Sequence, residues 1–157
     1  MEPLTTHGLF AVPLRFAAGV VAAVLATLAM DGVMAKLPEG TTPPSIAAGV
    51  LTDRPPGEAP DRLAAVVHYL AGSLTGPLFV WLLFVGEGVS GGASAVATFV
   101  TAVVLYGLMV GFFTVVVLPR SRVSADRVGT IRRDWAVAAA AYLVVLIPLV
   151  AGASRLL

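Results

Sequence analysis

The chain contains no cysteine. That absence removes disulfides, thiolate zinc sites, iron–sulfur clusters and cysteine nucleophiles together. Charge is scarce as well. Asp, Glu, Lys and Arg make up 12% of the 157 residues, about half the share carried by a soluble domain. The net charge of +1 offers no electrostatic footprint for nucleic acid. No glycine-rich phosphate loop, no nucleophile beside a base and no paired carboxylates occur. No cofactor and no metal site are therefore expected, and an intramembrane enzyme ranks third, behind the two readings given below. Lysine appears once, at Lys36, while every other basic residue is arginine. Together with few isoleucines and abundant Ala, Val and Gly, this points to a prokaryotic, GC-rich source.

Against these shortages stand four long apolar stretches: Phe16–Leu37, Leu63–Val85, Val96–Leu118 and Trp135–Gly152. A helix needs about 20 apolar residues to cross a hydrocarbon core about 30 Å thick. Each stretch meets that length. The expected fold is all-α: a four-helix transmembrane bundle, one integral membrane domain over residues 1–157. The start, Met1-Glu2-Pro3-Leu4, lacks the basic region of a signal peptide, so the first stretch is read as a retained helix.

Basic residues sort by connection. Lys36, Arg54 and Arg62 flank the first, and Arg120, Arg122, Arg127, Arg132 and Arg133 cluster at the third. The second has none, and the terminal segments contribute only Arg15 and Arg155. Cytoplasmic loops collect Lys and Arg. The expected topology places both termini outside the plasma membrane and the two basic connections inside. The arginine-rich third connection is read as a topology signal. Trp81 and Trp135 sit where interfacial anchors are expected.

The first connection is the longest. Thr41-Thr42-Pro43-Pro44 reads as a cap with prolines in a first turn, followed by a short helix to Thr52, about residues 43–52. Ile46, Val50 and Leu51 give it an apolar side, so it is expected to lie on the inner membrane surface. Arg54-Pro55-Pro56-Gly57 then ends it.

Apart from tyrosines, two ionisable side chains lie well inside the apolar stretches: Asp31 and His68. A carboxylate in hydrocarbon needs a partner. Asp31 lies five residues inside Lys36, about 8 Å, and His68 six inside Arg62, about 9 Å, at 1.5 Å per residue. Consecutive antiparallel helices thus hold them at similar depth. In steps of four from Asp31 come Thr27, Ala23 and Gly19; from His68 come Gly72 and Gly76. Such small-residue stripes let helix backbones approach closely. Packing through them brings Asp31 to His68. A third stripe holds Gly107 and Gly111, with Tyr106 beside it. Pro77 and Pro148 are expected to kink their helices. The Asp31–His68 pair has several readings: a structural clamp, a proton or cation site, or part of a lipid or small-molecule site. One His and one Asp are too few for a metal. His7 is expected outside the first helix, in water.

Gly19…Thr27-x-x-Met30, His68-x-x-x-Gly72 and Gly107-x-x-x-Gly111 resemble the layout of small four-helix membrane proteins of the YagU-like type. The resemblance implies an integral membrane protein of unknown biochemical role and transfers no catalytic residue. The function expected is that of a structural or accessory membrane subunit. It would have membrane lipids, and a second copy or a larger complex, as partners. The alternative is a small transporter or proton-coupled permeation unit built around Asp31 and His68.

Overall fold

The structure, a computed structural model, describes residues 6–156, with side chains from residue 11 onward. Its helices are α1 (Thr6–Met34), α2 (Thr42–Thr52), α3 (Asp61–Ser90), α4 (Ala95–Gly111) and α5 (Ala125–Leu156). α4 continues through a π-helical segment, Phe112–Val117, into a 3-10 turn, Leu118–Arg120. No strand occurs among the described residues. Four segments are long and apolar enough to cross a membrane: Ala11–Met34, Asp61–Ser90, Ala95–Arg120 and Ala125–Leu156. Only 22–33% of the most apolar part of each is buried within the chain. The remainder must meet an apolar solvent, because large side chains such as Val21, Leu70, Phe99, Val115 and Val144 point outward all around the bundle.

α1 is the centre of the packing, running along both α3 and α5. Its neighbour α3 approaches it backbone to backbone. A Cβ added to Gly76 would overlap the Gly19 carbonyl and lie 2.6 Å from the Ala23 Cβ. One added to Gly72 would overlap the Thr27 hydroxyl. One added to Gly19 would come within 2.8 Å of Val80. Small side chains at four-residue spacing on both helices permit this distance. Ala23, Ala26, Met30, Phe79, Val80, Leu105, Tyr142 and Leu146 form the main core.

α4 packs on both α3 and α5, and buries Ala97, Thr101, Ala102 and Leu105. Ser94 caps its start by accepting a hydrogen bond from the Ala97 N–H at 3.0 Å. Gly107 and Gly111 do not pack against another helix: a Cβ at either would meet nothing within 4 Å. The reason is rotational. They lie on the face opposite Leu105, which looks out of the bundle.

The opposite end is closed by the first connection. α1 stops at Met34, and Gly40 comes so close beneath it that a Cβ there would overlap the Met34 carbonyl. α2 then starts with Pro43 and Pro44 in its first turn. Its apolar side is split. Ile46 is fully buried with Phe113, Leu118 and Ile131 under the bundle, whereas Leu51 is exposed.

Trp135 differs from the anchor expected at this end. Its ring packs on Phe113, centroids 4.9 Å apart, and its indole N–H donates to the Met109 carbonyl at 3.1 Å. It therefore serves the α4–α5 contact rather than a headgroup layer. Trp81 is exposed on the outer surface. His7 falls within α1 rather than before it, and its side chain lies outside the described ones.

Candidate functional site

Asp31 is the hub of a small polar cluster on the α1–α3 seam. His68 Nε2 stands 2.6 Å from Asp31 Oδ1, and the Tyr69 hydroxyl donates to Oδ2 at 2.8 Å. Consecutive residues of α3 thus grip the two oxygens of one carboxylate. The His68 and Tyr69 rings meet edge-on at 5.2 Å between centroids. The cluster sits at the rim of the bundle. Asp31 keeps 31% of its side chain exposed, His68 only 11%, and Tyr69 faces outward. Tyr69 was not singled out from the sequence, although its place beside His68 was the available signal. Gly19, Ala23, Thr27, Gly72 and Gly76 form the seam that brings the pair together, while Gly107 and Gly111 lie elsewhere.

On its other side His68 borders an apolar groove of about 430 Å³ between α3 and α4. The groove runs between α3 and α4 towards the end bearing α2. Thr27 and Tyr142 lie at its back, Phe112 and Phe113 along one wall, and Pro43 and Pro44 at its closed end. The hydroxyl groups on its lining are already engaged by the backbone. The Tyr142 hydroxyl donates to the Gly72 carbonyl at 2.8 Å, five residues before Pro77. Thr27 donates to the Ala23 carbonyl and Thr75 to the Ala71 carbonyl, both at 2.8 Å. The π-helical turn of α4 forms part of the wall; such turns are frequent at functional sites.

Two ionic clusters beyond Asp31 and His68 tie the ends of the bundle. At the end bearing the termini, Arg15 of α1 makes a two-pronged bond to Glu87 of α3, at 3.0 and 3.2 Å. Its Nε also donates to Ser154 of α5, and the guanidinium lies 4.4 Å from the centroid of the Phe84 ring. Both residues flank the apolar stretches by one or two positions, at the same end of antiparallel helices; that adjacency was the missed signal. At the other end Asp134 is fully buried. It accepts from the Glu39 backbone N–H at 2.8 Å and from Arg133 at 2.9 Å. Glu39 in turn takes both prongs of Arg127 at 2.7 Å and the Thr42 hydroxyl at 2.6 Å. Arg127 first, then Thr42, hold the Glu39 carboxyl below its ordinary pKa.

Among the described residues no three His, Asp or Glu side chains gather as metal ligands. No family model, curated protein or solved structure matches the chain.

Proposed function

We propose that this chain is a non-enzymatic structural or accessory membrane protein, in which Asp31, His68 and Tyr69 clamp α1 to α3. The observation carrying this reading is the coordination of the carboxylate. Each Asp31 oxygen receives a group from the neighbouring helix, directly beside a glycine seam that already fixes the two backbones. A carboxylate satisfied in this way holds two helices in register, at about 1 kcal/mol for such a contact within a membrane. The groove next to it is lined almost wholly by apolar side chains, which favours a scaffold over a water-filled conduit. The concentration of arginine at the α2 end supports an orientation with that end in the cytoplasm and both termini outside a prokaryotic plasma membrane.

Thermal unfolding in detergent tests the clamp. Asp31→Asn keeps an acceptor for His68 and is expected to unfold near the native temperature. Asp31→Leu strips the partner from His68 and Tyr69 and is expected to lose about 1–3 kcal/mol. Equal stability of all three proteins would remove the clamp.

A second reading has its own observation. Nδ1 of His68 has no hydrogen-bond partner among the described residues, so one ring nitrogen stays open beside the carboxylate. In a proton-coupled permeation unit, Asp31→Asn would abolish a pH-dependent flux in proteoliposomes while the fold survives. An Asn variant with unchanged flux, or a native protein with none, favours the clamp alone.

A further inference from the structure

We propose that the groove between α3 and α4 binds a lipid-soluble molecule headed by a hydroxyl group, which donates its proton to Nδ1 of His68. The class comprises aromatic quinols and long-chain isoprenoid alcohols. The inference goes beyond a structural role and rests on three features of the groove.

The first is size. At about 430 Å³ the groove falls within the ~300–1,000 Å³ typical of small-molecule sites. A flexible chain, or one ring with a tail, is of the size such sites take.

The second is access. Leu78 of α3 and Leu108 and Phe112 of α4 edge the groove and are exposed on the outer face of the bundle. That face meets hydrocarbon. The end towards the α2 surface is stopped by Pro43 and Pro44, on a helix pinned by buried Ile46. Entry is sideways, from the bilayer, which selects a molecule dissolved in lipid.

The third is hydrogen-bond polarity. The hydroxyl protons of Thr27, Thr75 and Tyr142 are committed to the backbone carbonyls of Ala23, Ala71 and Gly72. Each leaves only oxygen lone pairs for an occupant. With Nε2–H directed at the Asp31 carboxylate, the neutral form of the His68 ring, which the proposal takes, offers a lone pair at Nδ1. Every fully buried side-chain nitrogen or oxygen among the described residues has a partner, so Nδ1, which has none, retains accessible surface. With His68 neutral, the groove accepts hydrogen bonds and has none to give. Its natural occupant is a donor: an O–H at the end of an apolar body. A carboxylate head would lack the proton and face Asp31.

Binding is read from Trp135, which lines the groove, in a Trp81→Phe background that removes the second indole. The probes are decylubiquinol, farnesol and the methyl ether of each, titrated into the purified protein in detergent. Saturable quenching by at least one hydroxyl probe, with its methyl ether about tenfold weaker for the lost hydrogen bond, is the expected result. The tighter of the two hydroxyl probes then identifies the source, aromatic or isoprenoid. His68→Leu should reduce the hydroxyl probe to the affinity of its ether, and Ala71→Phe should block both by filling the rim. Equal affinity of alcohol and ether in the native chain, or no saturable quenching by any probe, overturns the proposal. The ether comparison needs no variant, so it stands even where His68→Leu fails to fold. The Asp31 stability test can fail while this one succeeds.

Discussion

The two sides of α3 carry similar helices yet meet them in opposite ways. Towards α1, Gly72 and Gly76 press against Thr27, Ala23 and Gly19 with no room for a methyl group. Towards α4, the helices part and leave the groove, although α4 has its own glycine pair at the same four-residue spacing, Gly107 and Gly111. A stripe of small residues permits close approach; it does not compel it. Compulsion needs a matching stripe at the same depth on the partner, plus a polar contact to set the register. α1 supplies both to α3, through Gly19–Thr27 and through Asp31. α4 turns its glycines outward and shows the bundle Leu105, Met109 and Phe113 instead, which are too bulky for a close seam.

Substitution at the seam should give the largest effect. Gly76→Leu drives a branched side chain into the Gly19 carbonyl and the Ala23 methyl, and about 3 kcal/mol of destabilisation is expected, at the upper end for overpacking. Chemical or thermal unfolding in detergent measures it. Survival at native stability would mean that α1 and α3 are not held backbone to backbone. Asp134→Ala comes next. It removes a fully buried acceptor from the Glu39 N–H and the partner of the exposed Arg133, a loss of about 1–3 kcal/mol. Limited proteolysis between residues 35 and 60 would report whether α2 has come loose.

Acidification should act more gently on the same latch. The Glu39 pKa is depressed in the folded chain, mainly by Arg127 and then by Thr42. The unfolded chain therefore takes up the proton first as the pH falls. The stability contributed by Glu39 is complete above the ordinary carboxylate value of about 4.3 and drains away below it, as the pH passes through the lowered folded value. Unfolding temperature against pH should slope downward there in the native chain, and less steeply in Glu39→Gln. Identical profiles would dismiss the latch. Gly107→Leu sharpens the comparison from the other side. Open space surrounds that position, so a change within about 0.5 kcal/mol is expected, as for an ordinary surface site. A large loss would mean that Gly107 meets something in the folded state.

Much of the architecture is legible in the chain because hydrocarbon imposes a length rule: four stretches of about 20 apolar residues appear as four helices. The α1–α3 seam is legible for a similar reason, since depth and four-residue spacing are one-dimensional quantities. Asp31 and His68, counted from Lys36 and Arg62, stand 2.6 Å apart. Rotation about the helix axis is what the sequence conceals. Gly107 and Trp135 sit in patterns that read equally well facing in or out; packing of Phe113 and Leu105 turned one outward and the other inward. Ile46 likewise reads as a membrane-facing residue until the cluster of Leu118 and Ile131 exists to receive it. Asp134 lies one residue before the fourth apolar stretch, and nothing in that position marks it as a residue that the folded first connection covers entirely.

The wide turn at Phe112–Val117 amounts to one surplus residue in an otherwise regular helix. Each residue advances a regular helix by about 100°. Without the surplus, everything after it on α4 would be turned by that angle. Leu118, now tucked against Ile46 and Ile131, would swing towards the bilayer, and the floor beneath the bundle would lose a wall. The position therefore works as a phase shifter. It lets one continuous helix serve two unrelated azimuths, the core around Leu105 above and the α2 cluster below. A chain sharing this fold could gain or lose the lower cluster by the insertion or deletion of a single codon, leaving the core around Leu105 in place.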